Sequence, residues 1–257
     1  MIRPTRRLAG LVSVATGPFV LAGCLARPVV LDPETARGAI TGQAGRRGVV
    51  IAAPHGTSDV RTGEIATELA RRTGFGVVVA TGFQLEPDTK ERADRRYQVN
   101  RPLEGVPGRP PPEEVATEAA RQVYEAYERR VREVAQGPLL FYAEIHGNNR
   151  RESAERIEVA TVGVGREHAL RLRTLLELIR DAHLGGRSEA PRLHIFVEPA
   201  DSLRYTASGA KRCGILCIPE RALHIELPKA ARTEWREVYT AILADFLSQA
   251  LALPAPK

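Results

Sequence analysis

Short runs of apolar, β-branched residues alternate with segments of helical periodicity along most of this chain. The runs cover residues 48–53, 76–81, 138–145, 157–163, 193–198, 214–219 and 222–227. Apolar residues recur at helical spacing within residues 115–131, 172–179 and 235–250. Strands that alternate with helices are typical of an α/β domain with a largely parallel sheet. We therefore predict one such domain over residues 48–252.

The composition fits a single folded domain without a bias toward nucleic acid. The chain has 257 residues, of which 43% are hydrophobic, so one large core is possible. Its formal net charge is +6, but the first 23 residues contain three arginines and no acidic residue. Without them the charge is only +3, from 34 basic and 31 acidic residues. Such a small excess does not predict nucleic-acid binding.

The first 24 residues have the features of an export signal. Arg3, Arg6 and Arg7 precede an apolar stretch over residues 8–22, which is too short and too interrupted for a membrane-spanning helix. The sequence LAGC at 21–24 resembles the lipobox of bacterial lipoproteins. This resemblance implies a signal peptide over residues 1–23, lipid attachment to Cys24 and a place in the cell envelope. The alternative is a chance apolar start with a buried cysteine.

Two further observations complete this prediction. Leu25, after the lipidated cysteine, resembles the sorting signal for the outer membrane if the cell is Gram-negative. Residues 24–47 contain Pro, Gly and Arg without apolar periodicity, and we predict a tether there between the lipid and the domain.

Cys213 and Cys217 lie in the apolar run CGILC. If this run is a strand, the two Cα atoms are too far apart for a disulfide bond. We predict two buried thiols, with a disulfide as the alternative in an exported protein. A zinc site built on this pair alone would lack two ligands.

The segment 83–112 interrupts the α/β pattern. It is rich in Pro and charged residues, and it is too long for a plain connection between two elements. Segments of this kind are either disordered or part of a binding site. The middle of the segment, RRYQVNRP at 95–102, is less linker-like than its ends.

Two histidines occupy equivalent positions at the ends of predicted strands. His55 and His146 each come directly before a glycine, in APHG and EIHG. Ligands of open α/β sheets bind outside the carboxyl ends of the strands, so these side chains can converge. A single histidine is more often structural than a metal ligand, but two at such positions with carboxylates nearby favour a site.

Strand alternation places other ionisable groups on shared faces. Tyr142, Glu144 and His146 share one face of their strand, and His224 and Glu226 share one face of theirs. Ionisable residues in buried strands are costly unless they are paired or used. The alternative is that neighbouring arginines pair with them. His194 and Glu198 also share a face, for which core packing or a salt bridge is the simpler explanation, and His168 and His183 are predicted to be exposed on a helix.

A turn could bring a carboxylate back to the first histidine. Asp59 lies four residues after His55, and two histidines with one carboxylate and an open position form the layout of a catalytic zinc site. Zinc lowers the pKa of a bound water and polarises an amide carbonyl. Glu226 is the best candidate for the proton transfers. Glu64 could replace Asp59 as the ligand, although a place in the first turn of a helix also explains Glu64.

Four stretches of the sequence resemble a known group of enzymes. APHGTSDVRTGEIATELA, RRYQVNRP, EIHGNN and ALHIELPKAAR resemble, in this order, motifs of N-formylglutamate amidohydrolase-like and phage-type poly-γ-glutamate hydrolase proteins. Both are similar in fold to zinc carboxypeptidases. The resemblance implies a three-layer sandwich in which helices flank a mostly parallel mixed sheet. It implies zinc ligands at His55, Asp59 and His146, and a catalytic carboxylate at Glu226. The group usually has Glu where this chain has Asp59.

The resemblance also implies a substrate that carries a carboxylate. Asn100 and Arg101 would bind that carboxylate, which suits the two-pronged guanidinium group. His224 and Asn148 are further candidate substrate contacts. Asn149, Arg150 and Arg151 either line the cleft or cap a turn.

We therefore predict a zinc-dependent amidohydrolase that cleaves a γ-glutamyl or N-acyl-amino-acid amide in a small peptide or acyl amino acid. The first alternative is a peptidoglycan amidase or carboxypeptidase of the cell envelope. The second is a metal-free binding lipoprotein on the same fold. The motifs GxSxG and HExxH and a Walker-type loop do not occur, so serine nucleophiles and nucleotide binding have no support.

Overall fold

The computed structural model describes residues 29–30, 38–83, 97–105, 113–187 and 189–253. The predicted signal peptide, the lipidation site Cys24 and Leu25 lie outside these residues, as do residues 84–96 and 106–112 of the segment 83–112. Within the described ranges, none of the helices has the length and apolar composition needed to cross a bilayer.

An eight-stranded mixed sheet forms the centre of the described fold. Its strands are β1 (Val29–Val30), β2 (Ala39–Gln43), β3 (Arg46–Ala53), β4 (Phe75–Thr81), β7 (Phe141–Asn148), β8 (Arg156–Val162), β9 (His194–Val197) and β10 (Arg221–Pro228), in the spatial order β1-β2-β4-β3-β7-β10-β8-β9. The four central strands β4, β3, β7 and β10 are parallel, whereas β2 and β8 run antiparallel to their central neighbours. The strands β5 (Glu104–Gly105) and β6 (Glu114–Val115) form a separate ribbon.

Helices cover both faces of the sheet. They are α1 (Thr62–Thr73), α2 (Glu118–Ala135), α3 (Arg166–Leu184), α4 (Ser208–Cys213), α5 (Lys229–Arg232) and α6 (Arg236–Ala252). The core on one face contains buried residues of α1, α3 and α6, and the core on the other contains residues of α2. Strands with both faces covered read as continuous apolar runs, which explains the sequence pattern. The predicted α/β three-layer fold is confirmed.

The alternation of side chains divides each central strand between the two cores. Ile51 of β3 and Ile145 of β7 belong to the core beneath α1, α3 and α6, whereas Val50 and Tyr142 belong to the core beneath α2. We call this second side the α2 face. Glu144 and His146 follow Tyr142 on it at intervals of two residues.

The predicted strand at 214–219 is wrong. These residues follow α4 as a short 3₁₀ helix, Ile215–Cys217, in which Ile215 and Leu216 are fully buried. The backbone N–H of Ile215 donates to the carbonyl of Asn100 at 2.9 Å instead of joining the sheet. Cys213 and Cys217 are free and exposed, so the predicted burial of both thiols is also wrong.

The folded domain begins earlier than predicted. The strand β2 lies within the segment 24–47, for which we expected a tether, and it pairs with β4 along its whole length. Ile40 on this strand is completely buried. A five-residue strand with so few apolar residues shows no clear periodicity, which is why the sequence did not reveal it.

The structure separates the remaining histidines from the predicted site. His168 is buried, contrary to the prediction, and its Nε2 lies 3.4 Å from a guanidinium nitrogen of Arg221. His183 pairs with Asp245 at the surface, and His194 is exposed. Glu198 forms an ion pair with Lys211, and a salt bridge was one of the two roles predicted for Glu198.

Two glycines with left-handed backbone provide a test of the fold. Gly163, between β8 and α3, has φ 69°, and a Cβ there would lie 2.1 Å from the carbonyl oxygen of Glu220. Gly74, after α1, has φ 73° and open space around it. We expect Gly74→Ala to lower the free energy of unfolding by about 1 kcal/mol, and Gly163→Ala by clearly more. Urea unfolding of both variants measures this, and equal losses would contradict the described turn.

Candidate active site

The carboxyl ends of three neighbouring strands, β3, β7 and β10, deliver the candidate site. His55 follows β3 by two residues, His146 lies near the end of β7, and Glu226 lies near the end of β10. The strand β7 is between the other two, so its side chains have neighbours on both sides. In the parallel pairing of β7 with β10, His146 is opposite Glu226 and Glu144 is opposite His224.

The loop after β3 folds Asp59 back toward His55. The backbone N–H of Asp59 donates to the carbonyl of His55 at 2.9 Å. Thr62 then binds the carbonyl of Asp59 through its backbone N–H at 3.0 Å and its hydroxyl at 2.8 Å. The turn that we expected from the sequence HGTSD is therefore closed at both ends by hydrogen bonds.

This turn places Asp59 between the two histidines. Its Oδ2 lies 3.5 Å from His55 Nδ1 and 3.3 Å from His146 Nδ1, and it accepts a hydrogen bond from the backbone N–H of Gly147 at 3.1 Å. The rings of His55 and His146 meet edge to face, with centroids 4.7 Å apart. One donor atom from each of the three side chains lies within 4.8 Å of the other two.

Glu64, the alternative carboxylate, lies elsewhere. Its side chain is 55% exposed and pairs with Arg61 and Arg236 at the start of α1 and α6. Of the two carboxylates, Asp59 is the one that contacts both histidines.

The donor set fits a zinc ion. Two imidazole nitrogens and one carboxylate oxygen are ligands that zinc binds in catalytic sites, where a fourth position stays open. The three donors lie close enough to one another to be candidate ligands of a single ion. A buried polar atom without a partner lies next to this set: Oε2 of Glu226, opposite His146 in the sheet, has no hydrogen-bond partner among the described residues.

Electrostatics in the metal-free site couple Asp59 to the histidines. Burial raises the pKa of Asp59, but the interactions with His146 and His55 outweigh this and hold it well below its usual range. Burial lowers the pKa of His146, but the charge of Glu144 and the contacts with Asp59 outweigh it and raise the pKa of His146 to about 10. In the absence of metal, the folded protein therefore favours an imidazolium at His146.

The remaining oxygen of Glu226 is held by a histidine. Its Oε1 lies 3.1 Å from Nε2 of His224, whose Nδ1 lies 2.6 Å from Oε1 of Glu144. The rings of His224 and His146 stack with centroids 4.1 Å apart. His224 thus joins the network between two carboxylates and lies against a candidate metal ligand.

The segment around Asn100 reaches the same network. Asn100 is 1% exposed, and its side-chain N–H group donates to the Glu144 carboxylate at 3.3 Å. Arg101 donates to the side-chain oxygen of Asn100 at 3.0 Å and forms a two-pronged ion pair with Glu114 of β6. Residues 97–105 of this segment are therefore a folded part of the site.

Residues after β7 have different surroundings. Asn148 is buried, and neither polar atom of its side chain has a hydrogen-bond partner among the described residues. Asn149 accepts a hydrogen bond from Arg232, and Arg150 lies over the ring of Tyr205 at 5.6 Å. Arg151 is exposed at the start of a short 3₁₀ helix, Arg151–Ser153.

Arg232, which the sequence did not single out, joins the three loops of the site. This side chain is 1% exposed and donates to the carbonyls of Val60 at 2.7 Å, Asn148 at 3.0 Å and Leu227 at 3.2 Å. Val60 follows β3, Asn148 is the last residue of β7, and Leu227 lies near the end of β10. A Cβ at Gly147 would lie 2.4 Å from the guanidinium carbon, so only glycine fits above it. The signal that the sequence offered was the position of this arginine at the end of the motif ALHIELPKAAR, four residues after β10.

Comparisons with known proteins give distant structural likenesses only. No model of a protein family matches this sequence, and no curated protein is significantly similar to it. A bacteriophage poly-γ-glutamate hydrolase is 14% identical, with a TM-score of 0.46 over 84% of this chain and 88% of that one. The zinc-free form of the protein YNDL is 13% identical, with a TM-score of 0.48 over 86% and 93%. A metallo-carboxypeptidase from Burkholderia cenocepacia is 14% identical, with a TM-score of 0.43 over 84% and 61%. At these values the likenesses assign no activity to this chain.

The stability of the metal-free protein should fall at alkaline pH. The pKa of His146 rises from 6.5 in an unfolded chain to about 10 in the folded protein. Its contribution is therefore complete below pH 6.5 and is lost as the pH rises through about 10. Chemical unfolding of chelator-treated protein across this range measures the loss, and His146→Gln should flatten the curve. A wild-type stability as flat as that of the variant would contradict the described coupling.

Proposed function

We propose that this protein is a metal-dependent hydrolase of amide bonds, with zinc as the metal. His55, Asp59 and His146 would hold the ion, and Glu226 would act as the catalytic carboxylate. The observation that carries the proposal is the convergence of two strand-end histidines on Asp59, with Glu226 opposite His146 in the neighbouring strand. These side chains come from three separate parts of the sequence, and hydrogen-bonded turns and strand pairing hold them together.

The chemistry divides between the ion and the chain. A zinc ion in this place supplies Lewis acidity to an amide carbonyl and to water. Glu226 takes the proton of the attacking water and delivers it to the leaving amine. His224 holds one oxygen of Glu226 at 3.1 Å, and the other oxygen has no partner among the described residues, so it is available for this task.

The substrate that fits best is a γ-glutamyl or N-acyl-amino-acid amide that carries a carboxylate. Arg101 already binds the carboxylate of Glu114 with two donors, and we propose that a substrate carboxylate takes the place of Glu114. Asn100, His224 and Asn148 would contribute the remaining polar contacts.

Arg101→Lys, which keeps the charge but not the two-pronged geometry, should then raise KM with little effect on kcat.

A set of carboxylate variants tests the assignment of the metal ligands and of Glu226. Glu226→Gln should retain one equivalent of zinc and lower kcat by at least about a hundredfold, because the proton acceptor is lost. Asp59→Asn should lose the ion, whereas Glu64→Gln should keep both zinc and activity, because Glu64 pairs with surface arginines. Metal analysis of protein purified without chelators and turnover of poly-γ-glutamate or N-acyl glutamate provide the measurements.

Two results would contradict the proposed roles of Glu226 and of the metal ion. Retained turnover in Glu226→Gln removes this residue from the mechanism. Wild-type protein that holds far less than one equivalent of zinc, with no further loss in His146→Ala, indicates a metal-free binding protein on the same fold.

We further propose that the protein is anchored in the bacterial cell envelope by a lipid on Cys24. The lipobox-like sequence LAGC supports this, together with the basic and apolar residues before it. Leu25 favours the outer membrane of a Gram-negative cell. Cys24→Ala should move the protein from the membrane fraction to the soluble fraction and abolish incorporation of labelled fatty acid. Unchanged fractionation would contradict the anchor.

An envelope location favours a second candidate function, namely an amidase or carboxypeptidase that acts on peptidoglycan peptides. Purified sacculi and poly-γ-glutamate offered to the same preparation separate the two substrates. Release of new amino groups from only one of them decides between the candidates.

A further inference from the structure

Glu144 is the most completely buried carboxylate near the candidate site, and the function proposed above gives it no role. It lies in the middle of β7, its exposed fraction is 0%, and it occupies the α2 face two residues before His146. Four polar side chains surround it. They are His224 at 2.6 Å, Asn100 at 3.3 Å, Tyr142 at 3.3 Å and His146 at 3.3 Å.

None of these partners is an arginine or a lysine. A buried carboxylate without a strong cation is costly, and an apolar side chain of similar size would be cheaper for the fold. The hydroxyl of Tyr142 is itself bound by the hydroxyl of Tyr127 at 2.9 Å, so the network continues toward α2. The placement of Glu144 is therefore better explained by what it holds than by a contribution to stability.

The two nitrogens of His146 have different neighbours. Nδ1 lies 3.3 Å from Asp59, in the group of candidate metal ligands, whereas Nε2 lies 3.3 Å from Oε1 of Glu144. Nε2 is buried and has no hydrogen-bond partner among the described residues, and the Glu144 carboxylate lies within ion-pair distance of it. A neutral imidazole carries one proton, so a carboxylate beside Nε2 favours the proton there and leaves the lone pair on Nδ1.

The same carboxylate also reaches Glu226 through His224. Glu144 binds Nδ1 of His224 at 2.6 Å, and Nε2 of His224 binds Oε1 of Glu226 at 3.1 Å. The register of β7 and β10 places these groups side by side in pairs, with Glu144 opposite His224 and His146 opposite Glu226. A single buried group thus contacts both a candidate metal ligand and the histidine that holds the candidate catalytic carboxylate.

We propose that Glu144 is the positioning residue of the site, which fixes the tautomer of His146 and the orientation of His224 at the same time. This inference rests on the proposed function, because it assumes that His146 binds a metal ion through Nδ1. Carboxylates behind histidine ligands orient the ring and raise its basicity, and their loss weakens metal binding about 10- to 100-fold.

The first experiment measures zinc affinity rather than activity. Glu144→Gln keeps the shape of the side chain but removes its charge, and it should weaken zinc binding about 10- to 100-fold in competition with a chromogenic chelator. The visible spectrum of the cobalt-substituted variant should differ from that of the wild type, because the position of the His146 ring changes. At saturating zinc, we expect kcat to fall by a larger factor than the factor by which KM changes, because Glu226 loses its fixed orientation.

Glu158→Gln is the matched control. Glu158 is 1% exposed on β8, opposite Glu226 in the antiparallel pairing with β10. Its Oε2 accepts hydrogen bonds from the backbone N–H groups of Arg204 at 2.8 Å and Tyr205 at 3.0 Å, and not from a histidine. Glu158→Gln also removes a buried charge from the same sheet. This variant should therefore lower the free energy of unfolding but leave the zinc affinity and the cobalt spectrum unchanged.

A second measurement needs no variant and covers the case in which Glu144→Gln does not fold. Nitrogen-15 NMR of histidine-labelled, zinc-loaded wild-type protein reports which nitrogen of His146 carries the proton, and we expect Nε2. A proton on Nδ1 overturns the inference, as does wild-type zinc affinity in a folded Glu144→Gln variant. Wild-type protein that binds no zinc would overturn the proposed function itself, so the two failures are distinguishable.

Discussion

The pairing of β7 with β10 is the contact on which the candidate site depends. It places His146 beside Glu226 and Glu144 beside His224, all on the α2 face of the sheet. A shift of one residue in either strand would turn that strand's ionisable side chains toward the apolar core beneath α1, α3 and α6. The apolar residues between them, such as Ile145 and Ile225, are fully buried in that core and therefore fix the register. Hydrophobic packing on one face thus sets the polar geometry on the other.

Much of this arrangement could be predicted because strand periodicity is a local property. The alternation in FYAEIHG assigned Tyr142, Glu144 and His146 to one face, and the structure has them there. The positions of His55 and His146 at strand ends predicted that they would meet, since the carboxyl ends of parallel strands share one edge. Periodicity does not predict which strands are neighbours in the sheet. For that reason the Glu144–His224 contact was beyond reach, although each residue had been noted on its own strand.

The errors have a common physical origin. The run at 214–219 has the composition of a buried strand, but the sheet has no vacant place beside β10, which already pairs with β7 and β8. Its apolar residues are buried against the α2 face through a short helix instead, which leaves Cys213 and Cys217 in solvent. Short apolar runs do not distinguish a strand from a buried turn, and only the full set of pairings decides. Arg232 was missed because its partners are backbone carbonyls on three separate loops, and the sequence alone does not show that these loops are neighbours.

The balance of charge explains how these groups can share one pocket. Asp59, Glu144 and Glu226 are interleaved with three imidazoles, and each carboxylate lies within 3.5 Å of at least one ring nitrogen. Without metal, an imidazolium at His146 offsets the carboxylates on both of its sides, which is why its pKa rises to about 10. A divalent cation on the Asp59 side would take over that role, because binding through Nδ1 requires the loss of a ring proton. The proton left on the ring would then lie on Nε2, beside Glu144. If the proposed function is right, His55, Asp59 and His146 would therefore hold a proton in the metal-free protein and a divalent cation in the loaded one.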